Sequence, residues 1–228
     1  MPAVGLIREL PESERPRERL LKQGSDALSD AELVAVLLRT GRVGVSAIQM
    51  AMELLQETGG LSGLVALTPQ LLRRRGLGPA KTATLLASLE IASRVARDQL
   101  VERDPMARPA EVARYLALRY CERDQEVMGA LFLDVRNRLL GEKELFRGTL
   151  DKAIVEPREI LKESLLRGAA AVVVFHTHPS GDPTPSQEDL AFTRHLKDAG
   201  AIVGVRLADH LILGRSGRWV SLREKGAC

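Results

Sequence analysis

The apolar run AAAVVVFH, residues 169–176, ends on a histidine, and a second histidine follows after one intervening residue. A short run of this kind, rich in β-branched side chains, reads as a strand that delivers His176 at its carboxyl end. Alternation in an extended chain sends His176 and His178 to the same side, so both imidazoles can reach one point. Pro179 and Pro185 then stiffen the connection, Gly181 lets it turn back, and a helix is expected over 186–199. Asp189 lies one turn into that helix. Two neutral imidazoles and one carboxylate form a normal ligand set for catalytic zinc, with a fourth position left for water. A second reading stands beside it, because Asp189 follows Ser186 by three residues, which is also the spacing of a capping box. Capping alone does not account for the alternating histidines.

The strand belongs to a half of the chain that mixes periods. EVMGALFLDVRNRLLGEKELFRGTL, residues 126–150, predicts a strand over about 127–134, a turn at DVRN and a strand over about 138–146, the outline of a hairpin. A helix is expected from Pro157 to Arg167, and GAIVGVRLADHLILG and GRWVSL are expected to supply further short strands. Strands interleaved with helices predict an α/β domain with a mixed sheet flanked by helices.

The first half reads as all-helical. SDAELVAVLLRTG has Ser29 or Asp30 as cap, Glu32 in the first turn and Gly41 past the last apolar residue, and SAIQMAMELLQETGG repeats the signature with Ser46 and the glycine pair 59–60. Beyond it come a short helix, a GLG turn and a long final helix. The turn GLGPAK, residues 76–81, has two readings: amides cradling a DNA phosphate with Lys81 and Arg73 to Arg75 supplying charge, or a tight interhelical turn with a solvated basic face. The polar, proline-containing segment 98–109 predicts a boundary, so the helical domain is expected over 1–104 and the α/β domain over 105–228.

Composition narrows the function classes. Residues 1–107 carry 14 basic and 13 acidic side chains, and residues 108–228 carry 19 and 17, so any nucleic-acid binding must come from a local patch. Two cysteines, Cys121 and Cys228, have no paired metal spacing and suit a reducing compartment. No apolar stretch reaches the roughly 18 residues of a spanning helix, and the amino terminus lacks a signal-like run; a cytoplasmic protein is expected, with no membrane partner.

The segment 176–189, HTHPSGDPTPSQED, matches the JAMM (MPN-plus) metalloprotease signature: two histidines one residue apart, seven residues, a serine, two more and an aspartate. With DQEVMGALFLDVRNRLLGEKELFRGTL, VEPREILKESLLRGAAAVVVFHTHPSGDPTPSQEDL and ADHLILG, the second half resembles the RadC (UPF0758) family. The first half resembles its helical amino-terminal region, with a helix-hairpin-helix-like element at about 61–95. The resemblance implies that His176, His178 and Asp189 bind zinc and that Glu126 is the general acid and base; the residues alone do not choose Glu126 over Glu122 or Asp124. It further implies that Ser186 orients or stabilises the oxygen that becomes negative. One departure is Thr177, where the family usually has asparagine; its side chain alternates away from the ligands, so a change in packing or in one hydrogen bond is expected. His210, of the pair Asp209 and His210, is expected to pack or to support a ligand, His195 to lie on the surface, and Arg147, Arg158 and Glu159 to line the cleft or form structural ion pairs. The function expected is zinc-dependent hydrolysis of amide or isopeptide bonds in a peptide or protein. The alternative is a DNA-associated accessory protein whose helical domain binds DNA weakly and without sequence preference while the second domain serves as an interaction module.

Overall fold

The computed structural model describes residues 10–101, 108–120, 125–148, 156–215 and 217–228. Cys121, Glu122, Asp124 and the expected boundary at 104/105 lie outside those residues. The chain divides into two compact units, Met1–Ile91 and Ala92–Cys228, and the division falls inside a single helix.

The first unit contains α1 (Pro16–Gln23), α2 (Asp30–Leu38), α3 (Ala47–Thr58), α4 (Pro69–Arg74) and the start of α5 (Pro79–Val101). Ser29 caps α2 in a full capping box with Glu32, and Ser46 caps α3, which stops at Gly59 in the left-handed conformation. Val34, Leu38, Met50, Leu54, Leu72 and Leu85 join α2, α3, α4 and the start of α5 in one core. Gly41 does not end α2 as expected: the helix ends at Leu38 and Arg39 takes the positive φ of 64°. Gly41 serves a close approach instead, since a Cβ there would lie 1.9 Å from the Val45 carbonyl oxygen. The GLG turn joins α4 to α5 as expected, with Gly76 at φ 77°.

The second unit is built on a mixed sheet of β1 (Glu126–Leu133), β2 (Leu139–Gly148), β3 (Ala171–Thr177), β4 (Arg206–Leu213) and β5 (Trp219–Ser221), in the order β2-β1-β3-β4-β5. β3 runs antiparallel to β1 and parallel to β4. Being central, it is buried at all seven positions, which is why its sequence shows no polar alternation. Leu131, Leu133, Val173 and Phe175 face α6 (Pro109–Tyr120) and the end of α5, where Tyr115, Leu116 and Leu100 complete the core. Ala130, Phe132, Val172 and Val174 face α7 (Pro157–Leu166) and α8 (Gln187–Val203) through Ile160, Leu161 and Leu196.

One expected strand boundary is corrected. Residues 200–203, expected to begin the next strand, are the last turn of α8. Gly204, at φ 75°, donates its N–H to the Gly200 carbonyl and ends the helix, while Gly200 makes room for the Val205 carbonyl oxygen, 2.3 Å from where a Cβ would stand. The β-branched Ile202 is left 86% exposed, so burial does not draw it into the sheet. Among the described residues, no helix is long and apolar enough to cross a membrane.

Candidate metal centre

Strand parity assembles the site. Met128 pairs with His176 across β1 and β3, and the even-numbered residues of β1 share the α8 side of the sheet with His176. Glu126, two residues before Met128, therefore opens β1 on the face from which His176 projects. Beyond β3, Ser186 caps α8 with a reciprocal capping box: Asp189 N–H donates to Ser186 Oγ (3.1 Å), and Ser186 N–H and O–H both donate to Asp189 Oδ2 (2.7 Å each). The two readings of Asp189 are thus compatible. One carboxylate oxygen serves the cap, and the other stands 3.1 Å from His176 Nε2.

His176 Nε2 and His178 Nε2 lie 2.9 Å apart, and His178 Nε2 is 3.6 Å from Asp189 Oδ2. One donor atom from each of His176, His178 and Asp189 falls within 4.8 Å of the others, a cluster able to hold a metal ion. The hydrogen bonding of His178 fits that use. Its Nδ1 is 2.7 Å from the Asp182 carbonyl oxygen, which has no hydrogen, so Nδ1 donates and the neutral ring keeps a lone pair on Nε2. Gly181 makes this loop possible at φ 83°, and Arg218 secures it by donating to the Gly181 carbonyl (2.7 Å).

Electrostatics follow from burial and proximity. Burial pushes the His176 imidazole below its ordinary pKa, partly offset by Asp189. The Asp189 carboxylate close to His178 favours its protonated form and raises its pKa. Burial opposes the ionisation of Asp189, yet the adjacent His176 and His178 rings, with the hydrogen bond from Ser186, outweigh it and hold the carboxyl well below the usual carboxylate range. Glu126 behaves in the opposite way: burial, with the nearby Asp189 charge adding and His178 opposing, raises it to about 7. Two carboxyls that share one site are therefore separated in acidity by their surroundings.

The remaining expected residues fall into place around this cluster. His210 is 1% exposed, with Nε2 2.8 Å from His176 Nδ1 and Nδ1 2.7 Å from Thr193 Oγ1; burial depresses its pKa strongly. A bulge brings it there. Val172 pairs with Leu207 but Val173 with Asp209, so Ala208 is an extra residue that reverses the parity of β4 and turns His210 onto the His176 side. Nothing in the local pattern of RLADHLIL announces that bulge, and the contacts of Thr193 and the Asp182 carbonyl were equally illegible. Thr177 points to the other face as expected, where its Oγ1 accepts the Val127 N–H at 2.9 Å and fastens the residue next to Glu126. His195 is exposed. Arg147 pairs with Glu144, and Arg158 pairs with Glu156 and Glu159 at 3.1 and 3.6 Å, so these residues form local ion pairs.

Comparison with known proteins agrees with this architecture. Residues 106–227 match the family model described as RadC-like JAB domain, and residues 7–83 match the UPF0758 N-terminal model. A UPF0758 protein of Chloroflexus aurantiacus is 47% identical over 221 residues, covering 96% of both chains. Another, of Halorhodospira halophila, is 48% identical over 221 residues, covering 96% of this chain and 98% of its own, and one of a Polaromonas species is 47% identical over 222 residues, covering 97% and 99%. With both halves matched and relatives aligned along almost their whole length, the chain belongs to the UPF0758 family and carries its RadC-like JAB domain.

Proposed function

We propose that the chain is a zinc-dependent hydrolase of amide or isopeptide bonds, with His176, His178 and Asp189 as metal ligands and a peptide or protein as substrate. The observation that carries this reading is the convergence of the two Nε2 atoms and the Asp189 carboxylate on one point, beside a carboxyl group raised to about 7. When bound, zinc supplies a Lewis acid for a carbonyl oxygen and lowers the pKa of water. Glu126 takes a proton from water at its carboxylate and returns it to the leaving amine, a task suited to a group that titrates near neutrality. Ser186 holds Asp189 in place through the cap, and its hydroxyl orients an oxygen that becomes negative by turning its proton from Asp189 Oδ2 toward that oxygen.

The test combines metal analysis with two variants. Wild-type protein should hold one equivalent of zinc and cleave members of a peptide and isopeptide library in a chelator-sensitive manner. Glu126→Gln should keep zinc and lose about 100-fold to 10,000-fold in rate, the usual share of a positioned acid-base group. His178→Ala should lose metal and activity together. Zinc far below one equivalent in metal-replete wild-type protein, or a Glu126→Gln variant cleaving at the wild-type rate, overturns the assignment. For the helical unit we propose at most weak DNA binding without sequence preference. Lys81 already donates to the Gly41 carbonyl at 2.9 Å, which occupies one of its three N–H donors and holds the side chain against its own loop. Anisotropy titrations should show binding that salt removes.

A further inference from the structure

We infer that Thr193 and His210 are positioning residues of the metal centre: through a buried hydrogen-bonded chain they set which nitrogen of His176 is left without a proton. The inference deepens the zinc reading and rests on it for its functional meaning, although the proton arrangement itself is testable without metal.

Counting hydrogens fixes the direction of the chain. Thr193 Oγ1 lies 2.6 Å from the Asp189 main-chain oxygen, which has no hydrogen, so the single hydroxyl proton of Thr193 is directed there. Toward His210, Thr193 Oγ1 can then only accept, and His210 Nδ1, 2.7 Å away, must carry a proton. The His210 ring is fully buried and, among the described residues, hydrogen-bonds to no carboxylate, so it stays neutral and its Nε2 holds a lone pair. That lone pair faces His176 Nδ1 at 2.8 Å, which must therefore be the protonated nitrogen of His176. A neutral His176 protonated at Nδ1 has a bare Nε2, the atom that meets His178 and Asp189. The direction is the same as that imposed on His178 by the Asp182 carbonyl, reached through three links instead of one.

The chain also closes on itself. It begins at a ligand on β3, crosses His210 on β4, and ends on the main-chain oxygen of Asp189, whose side chain is the ligand supplied by α8. A metal ligand's outer hydrogen bond typically matters 10-fold to 100-fold in affinity, by orienting the ring and fixing its tautomer.

Thr193→Val keeps the shape but can neither accept from His210 nor donate to Asp189. His210 then loses the partner for Nδ1–H, and the favoured arrangement places its proton on Nε2, directed at His176 Nδ1. His176 must in turn carry its proton on Nε2, where the metal is to bind. The first measurement is the nitrogen-15 spectrum of the histidine rings in metal-free wild-type protein, which should show the Nδ1–H tautomer for both His176 and His210. The second is zinc affinity by competition with a chromophoric chelator. Thr193→Val should lose 10-fold to 100-fold and switch both rings toward Nε2–H, and Thr193→Ser, which keeps the hydroxyl, should restore both readouts. An Nε2–H tautomer for His176 in the wild type overturns the inference even if zinc binds. So does a Thr193→Val variant with wild-type affinity and unchanged tautomers. If the wild type binds no zinc but shows the expected tautomers, the zinc reading fails and the proton chain stands, so the two failures are distinguishable. Should Thr193→Val not fold, the wild-type spectrum still decides the proton arrangement.

Discussion

Replacing Glu126 with Gln in metal-free protein should stabilise the fold at alkaline pH and leave it unchanged in acid. Burial raises the Glu126 carboxyl from an ordinary 4.5 to about 7, so the folded chain binds a proton that the unfolded chain has already released. Stability contributed by the protonated form is fully present below about 4.5 and is lost as pH rises through 7. Glutamine has no charge to desolvate and pays no such penalty. At about 1.4 kcal/mol per pKa unit the ceiling is about 3 kcal/mol. Partial exposure of the side chain allows solvent screening, so the expected gain for the variant at pH 8 is about 1–2 kcal/mol. Thermal melts with a chelator present should then show the variant above wild type by roughly 3–6 °C at pH 8, narrowing to nothing near pH 4.5. A difference independent of pH, or a wild type that melts higher at pH 8, refutes the claim that this carboxyl is held in a desolvating position. The same experiment bears on chemistry, because a base that titrates near neutrality is made by the burial that these melts measure.

Ser186→Ala removes the cap of α8 and the two hydrogen bonds to Asp189 that involve the hydroxyl; chemical denaturation should show a loss of about 1 kcal/mol, and zinc competition a weaker site. Gly129→Ala should cost about 1–3 kcal/mol in a melting experiment, because its Cβ would lie 2.5 Å from Phe175 Cζ and 2.7 Å from the Lys143 carbonyl oxygen inside the sheet. A fragment of residues 92–228 should be more stable to denaturant than one of residues 106–228 by about 1.5–3 kcal/mol, since Leu100, 2% exposed, packs in the second unit's core. Equal stabilities would place the end of α5 outside that core.

Features settled within a few residues are legible in the chain before it folds. Ser29 with Glu32, Ser46 with Gly59, and Ser186 with Asp189 announce helix ends because capping is a contest among neighbouring backbone groups. Alternation put His176 and His178 on one side of β3, and the DVRN turn was legible because Asp134 accepts the N–H groups of Arg136 and Arg138 while Asn137 tolerates φ 57°. The family resemblance supplied Glu126, which local chemistry could not single out. Tertiary structure decided the rest. Gly41 and Gly200 look like helix punctuation or strand onset, but their places follow from carbonyl groups that approach them in the folded chain. The register of β1 against β3 set Glu126 on the face from which His176 projects, and burial, with the Asp189 charge adding to it, raised the pKa of its carboxyl. The bulge at Ala208 rotated His210 under His176, and the fit of α8 against β4 brought Thr193 to His210, 17 residues away along the chain. Pairing register and helix-on-sheet packing are sums over many distant contacts, so no short stretch of sequence contains them.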